Sequence, residues 1–369
     1  MRVTTNMSVS TLVTNIDRSY QHMSQVQGQL SSGSRLNRLS DDPAAVERSL
    51  ALRSELRNIE QYQGNIDDGS GWLQLTESSL SELESLFVEA RGLAVQGASS
   101  TYNASQRDAI ADQVDQYLEQ AVSLSEARYR GRFIFAGTQT GSAPYRAVRD
   151  TNGVVQSLAA VGDTSGSIER EIADGALIQV NVPGNDVFEA PPSIEISLGT
   201  RAEGLASADA ERLRSLFGDD GTITLSELGA VLDGPEPDPP LSPSLRQELV
   251  DLRQEYQARD TSPFAALIAL RQALRGNDPS AVRATLGQID AVRENLSGTR
   301  GLVGARVNRL EATRSINERV ATEMNTALSG VEDIDLAAAI VNLQAEQDVY
   351  QAALSSGSAV VPKSLMDFI

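Results

Sequence analysis

Apolar positions in this chain recur at alternating steps of three and four residues, and two such runs stand at its ends. Val9, Leu12, Ile16, Ser19, Met23, Val26 and Leu30 make the first, with one polar break at Ser19. Leu336, Ile340, Leu343, Gln347, Tyr350, Leu354, Gly357 and Val361 make the second, broken at Gln347 and Gly357. This is the a/d repeat of a coiled-coil seam. A helix with a one-sided stripe cannot bury it alone, so the spacing predicts two terminal helices that pair. The expected contacts set Leu12, Ile16, Met23 and Leu30 against Leu336, Leu343, Tyr350 and Leu354.

Inward from the ends the helical pattern continues. Asp42-Pro43 reads as a capping carboxylate followed by proline at the first helical position. A long helix is expected behind it, through Val46, Leu50, Ile59 and Ile66 to Leu80, Leu83, Phe87 and Ala90, with a kink near Gly69–Gly71. A third helix carries Ile110, Val114, Tyr117, Ala121 and Leu124, capped by Asn103 with Gln106 or by Ser105 with Asp108. From Leu286 to Leu328 the three-four spacing returns, and Asp335 caps the final helix.

The middle differs. "FIF" at Phe133–Phe135 predicts a short strand where the chain leaves the helical layer, with Gly131 and Gly137 allowing sharp turns. From Thr138 to about Thr200, short β-type runs such as "ALIQVNV" and "SIEISL" alternate with Gly, Pro and Asn, and "PGND" is a turn signal. Residues 201–263 read as short helical pieces around Ala208–Phe217 and Leu225–Leu232, then the proline-dense "DGPEPDPPLSPS". The fold class is mainly α with a β-rich insertion, a long-helix coiled-coil and bundle core built from both termini. Three domains are expected: 1–39 plus 335–369, terminal coiled coil; 40–140 plus 264–334, helical bundle; and 141–263, a variable outer domain.

Composition narrows the chemistry. The formal charge is −19, which disfavours nucleic acid, and no apolar run is long enough for a transmembrane helix. Cysteine is absent, His22 is the single histidine, and Lys363 is the one lysine. A thiolate site, a two-histidine metal site and a P-loop are therefore excluded. No cofactor is expected, and no catalytic role; carboxylate-only glycan chemistry in the middle domain is the remaining enzymatic alternative. His22 reads as a helix-surface or interface residue, and Trp72-Leu73 as core or subunit interface. "GDDGTITLSEL" matches the second half of an EF-hand loop, with Asp220, the Thr222 carbonyl and Glu227 as ligands. Leu216 and Gly218 stand where its first two aspartates belong, so useful calcium affinity is not expected.

Three separated motifs resemble the flagellin family, the bacterial filament proteins and their relatives. "LNRLSDDPAAV" (Leu36–Val46) is similar to the loop leading into the family's first long core helix. "EARGLAVQGAS" (Glu89–Ser99) resembles its R-x-L-A-V-Q segment, and "GVEDIDLAAAIVNLQAEQDVYQAAL" (Gly330–Leu354) its C-terminal helix. The resemblance covers roughly 1–140 and 265–369. Within the family, "GRFIFAGTQTGSAPY" is like the Y-I-F-A-G-T-x-T-x-x-P-F pattern of the hook–filament junction branch, where flagellin proper carries F-N-G-x-x-L-L. The ending "VVPKSLMDFI" agrees. Arg132 stands where tyrosine is common.

The resemblance implies an extracellular structural protein of the flagellum, exported unfolded through the flagellar type III apparatus without a cleavable signal. It implies a junction ring of copies, or alternatively the filament itself. The implied partners are further copies, a neighbouring hook-associated protein, filament-side subunits, and an export chaperone on Leu336–Leu354. The implied assembly surface is Val9, Leu12, Ile16, Met23, Val26 and Leu30 with Leu336, Ile340, Leu343, Tyr350 and Leu354. Phe133, Ile134 and Phe135 would form the strand that launches the outer domain.

Overall fold

The structure, a computed structural model, describes residues 2–38, 40–151, 153–189, 194–195, 207–217, 222–223, 228, 231–232, 237, 240–259 and 262–360. Two compact units are formed: Met1–Gln63 with Ser315–Ile369, and Gly64–Arg314. Long helices dominate: α1 (Arg2–Ser32), α2 (Pro43–Gly97), α3 (Ala104–Ser125), α7 (Pro263–Arg275), α8 (Pro279–Glu332) and α9 (Leu336–Val360). Shorter helices are α4 (Asn185–Phe188), α5 (Ser207–Phe217) and α6 (Pro243–Arg259).

In the terminal unit α1 and α9 pack antiparallel, and the loops beside them are zipped together. Arg35 N–H donates to the Glu332 carbonyl at 2.6 Å, and Ile334 N–H to that of Gly33 at 3.2 Å. Asp42 caps α2 by accepting from Ala45 N–H at 3.0 Å. Asp335 caps α9 by accepting from Ala337 and Ala338 N–H at 3.0 and 3.1 Å. Each carboxylate satisfies donors that the first helical turn leaves orphaned.

The larger unit has an aliphatic core. Ile66, Leu73, Leu80, Leu83 and Phe87 of α2 are buried, as are Val282, Ile289, Val292, Leu296, Val303 and Leu310 along α8. α3 packs on α7 with Ile110, Val114, Leu118 and Ala121 inward. Tyr117 is only half-buried and donates its hydroxyl to Glu89 Oε2 at 2.7 Å. Of the two cap candidates for α3, the capping box of Asn103 and Gln106 forms.

At Gly69–Gly71, where a kink was expected, α2 runs on without a break in its helical assignment. These glycines serve packing. A Cβ on Gly69 would lie 2.7 Å from Val180 Cγ1, and one on Gly71 2.9 Å from Tyr129 Cζ. Bare backbone lets the β-rich segment close onto the helix. Two charged groups are also buried. Arg107 is buried, and its guanidinium donates to the carbonyls of Gly97 and Ser99, both at 2.8 Å, at the end of α2. Arg271 is 2% exposed and joins Asp115 Oδ1, at 2.9 Å, to the Val155 carbonyl, at 2.6 Å.

The inserted segment is a series of two-stranded antiparallel ladders: β1 (Arg128–Tyr129) with β2 (Arg132–Phe133), β3 (Tyr145–Arg149) with β4 (Val155–Ala160), and β5 (Glu169–Ala173) with β6 (Ala176–Gln179). β7 (Ile194–Glu195) pairs with β8 (Thr222–Ile223). "PGND" becomes the start of the single helical turn α4. The calcium-loop residues Asp220 and Glu227 lie outside the described residues.

Candidate assembly surface

The α1 stripe lies in the intramolecular seam. Leu12, Ile16, Met23, Val26 and Leu30 are half-buried, and Ser19, the polar break, is the most buried at 7% exposed. Its hydroxyl donates to Glu346 Oε2 at 3.3 Å, while His22 Nδ1 lies 3.6 Å from Oε1 of the same residue. Tyr20 and Tyr350 rings meet at 6.2 Å. The side chain of Val9 lies outside the described residues.

On α9 the seam takes a different register from the one expected. Ala339, Leu343, Glu346, Tyr350 and Ala353 are its buried and half-buried positions. Leu336, Ile340 and Leu354, expected to face α1, are 56%, 48% and 46% exposed. Both sets obey the three-four rule and share Leu343 and Tyr350. Small alanines let the two backbones approach, and Glu346 finds partners in Ser19 and His22. Alanine carries only a weak apolar signal and glutamate none, so their part in the seam could be inferred only from a neighbour. The consequence is an apolar strip along α9, Leu336, Ile340 and Leu354, that α1 leaves uncovered; Val341 and Val349, 64% and 56% exposed, stand elsewhere around the helix.

A polar clasp closes the other end of this unit. Glu332 at the end of α8 accepts from Arg53 at 2.8 and 2.7 Å, and from the Ser49 hydroxyl. These hydrogen bonds, that of Arg53 above all, hold the Glu332 carboxyl below the usual carboxylate range.

The expected exit strand is shorter than predicted. Only Phe133 belongs to β2, while Ile134 and Phe135 lie in the turns that follow. All three are buried. Ile134 N–H donates to the Ala127 carbonyl at 3.0 Å, and Gly131 and Gly137 take φ of +81° and +55°. Burial replaces strand pairing here because Phe135 is drawn into an aromatic knot. Its ring stands edge-on to Phe188 at 5.0 Å, and Phe188 stacks on Phe264 at 5.4 Å, with Tyr145 edge-on to both. In a chain so poor in aromatics, this knot ties the start of the insertion to its end. Burial and the Glu189 carboxylate push the Tyr145 hydroxyl far up, so it stays a donor to Glu189.

Antiparallel terminal helices, a helical core made from both ends of the chain and a β-rich insertion define a mainly helical protein with a long-helix core. Residues 3–140 match the bacterial flagellin N-terminal helical region and residues 286–369 the C-terminal helical region. The chain belongs to the flagellin family. It is 31% identical over 105 residues to the flagellar filament 41 kDa core protein of Borreliella burgdorferi, covering 28% of this chain and 31% of that relative. It is 23% identical over 379 residues to flagellin E of Vibrio cholerae, covering 96% of this chain and 95% of that one. In fold it is similar to a Vibrio parahaemolyticus chain described as a flagellar hook-associated protein. The TM-score is 0.53 at 18% identity, over 79% of this chain and 100% of the other. Among the described residues no helix is long and apolar enough to cross a membrane.

Proposed function

We propose that this chain forms the junction ring between flagellar hook and filament. The observation that carries the reading is the segment Gly131–Thr140. Its Phe-Ile-Phe-Ala-Gly run is buried as the root of the insertion, and the segment resembles the junction branch at the place where filament-forming members differ. The likeness to a hook-associated protein supports the same reading. The work is mechanical: repeated noncovalent interfaces adapt one tube to another. The unpartnered face of α9, with Leu336, Ile340 and Leu354, is the natural contact to neighbouring copies. Before assembly it would be covered by an export chaperone during passage through the type III apparatus. Neighbours in the ring would be a hook-associated protein on one side and filament subunits on the other, with residues 141–263 facing outward.

The near full-length match to flagellin E favours a second reading, in which the chain builds the filament itself. Deleting the gene separates them. A junction protein leaves cells with hooks and with filament subunits spilled into the medium; loss of the major band from sheared flagella would establish the filament reading instead.

A further inference from the structure

The insertion and the start of α7 frame a cavity that the assembly reading does not use. Its volume is about 430 Å³, within the roughly 300–1,000 Å³ of small-molecule sites. β3 contributes Tyr145, β4 Leu158 and Ala160, α4 Phe188, and α7 Phe264 and Ile268. The rings of Tyr145, Phe188 and Phe264 lie against one another, with centroids 5.4 to 6.0 Å apart. These walls are fixed from behind. The Ser262 hydroxyl donates to the Phe188 carbonyl at 2.9 Å and caps α7 by accepting from Ala265 N–H at 3.4 Å.

One carboxylate, Glu189, joins the lining. Its Oε1 accepts from the Thr164 hydroxyl at 2.6 Å and from the Tyr145 hydroxyl at 3.2 Å. Two donors on one oxygen fix the group and leave Oε2 without a hydrogen bond among the described residues. Glu189 is half-buried, yet it makes no ion pair among those residues. Asp68, Glu84, Asp115, Glu119 and Glu332 are likewise half-buried, and each holds an arginine. Glu189 is thus a positioned carboxylate beside aromatic walls, with one oxygen unused and no cation of its own.

We propose that this cavity binds a small organic cation, an ammonium or guanidinium carried on an aromatic or aliphatic body. The cationic head donates to Glu189 Oε2 in a charge-assisted hydrogen bond. The body lies against the rings, whose π-systems attract cations, and against Leu158 and Ile268. The net charge of −19 favours a cation over an anion at this site. The site needs neither the junction reading nor any contact between copies.

The test is calorimetric titration of the full chain with phenethylammonium, the neutral phenethyl alcohol and the anion hydrocinnamate. The ammonium should bind saturably, one per chain, about tenfold more tightly than the alcohol, and the anion not at all. Glu189→Gln keeps an acceptor for the two hydroxyls and should weaken ammonium binding about tenfold, to the level of the alcohol. Ala265→Leu places bulk in the cavity and should abolish binding of both. Glu311→Gln removes an exposed carboxylate on α8 and should bind as wild type does. Melting temperatures are read alongside, and if a cavity variant fails to fold, the three-probe series on wild type still decides. The proposal is overturned by no saturable binding, by an alcohol or anion that binds as tightly as the ammonium, or by an equal loss in Glu311→Gln. Unaltered affinity in folded Glu189→Gln or Ala265→Leu also overturns it. Tighter binding of N-acetylarginine amide than of the aryl amine would assign the cavity to a protein side chain, and the small-molecule site would fall. Normal filaments after gene deletion would sink the junction reading and leave this result standing.

Discussion

Replacing Arg271 by methionine tests whether a buried ion pair holds the larger unit together. The guanidinium is 2% exposed and Asp115 17%, so both charges have left water. Methionine keeps most of the aliphatic stem and deletes two hydrogen bonds, to Asp115 and to the Val155 carbonyl. Breaking a buried pair by removing one partner costs about 3–5 kcal/mol, and an orphaned buried carbonyl by itself about 1–3 kcal/mol. Asp115 retains Arg275 at 2.6 Å, which places the expected loss near the lower limit, about 3 kcal/mol. At roughly 2–4 °C per kcal/mol for a domain of 150–250 residues, the melting temperature should drop by about 6–12 °C. Asp115→Leu should cost at least as much, because it strands a more deeply buried charge. The double variant should lose less than the sum of the two. Trp72, the one tryptophan, is 5% exposed in the same core and reports the transition by fluorescence. A loss below about 1 kcal/mol for Arg271→Met, or strict additivity, would refute the account, since a pair that matters must couple.

Gly71→Ala should destabilise by about 1–3 kcal/mol through collision with Tyr129, whereas Gly64→Ala, with nothing near its Cβ, should stabilise by about 0.4–1 kcal/mol; paired thermal melts decide. Glu332 has its folded pKa held below the unfolded value, so it contributes stability above the ordinary carboxylate range that is lost as pH falls through its depressed pKa. Glu332→Gln should therefore melt lower than wild type at neutral pH, by less than about 1 kcal/mol for this partly exposed pair, with the gap closing in strong acid; a gap that widens in acid contradicts the sign. Leu336→Asp with Leu354→Asp should leave the monomer's melt unchanged and abolish assembly, while Ala339→Asp, placed in the seam, should perturb the monomer; equal melting losses would mean both faces are already buried. Excising residues 201–262 should leave a folded protein that supports motility, and immotile cells would show that segment to be essential.

Much of the fold is local and therefore legible along the chain. Asp42, Asn103 and Asp335 mark helix starts because a capping side chain acts within three residues of itself. The Ile289–Leu310 stripe and the α1 seam positions emerge from spacing alone, since a helix places every third or fourth residue on one face. What only the tertiary structure decided concerns choices between partners. α9 carries two overlapping registers of equal periodicity, and the approach of α1 selects the one with Ala339, Glu346 and Ala353, leaving Leu336, Ile340 and Leu354 outside. Gly69 and Gly71 read as a kink until Val180 and Tyr129 occupy the space above them. Arg107 and Arg271 carry no local signal of burial; a helix end and an aspartate, distant in sequence, hold them inside. Phe135 was pulled from a strand into a turn by Phe188, more than fifty positions away. Periodicity encodes which face of an element is apolar, whereas the identity of what covers that face depends on contacts that no single stretch of sequence contains.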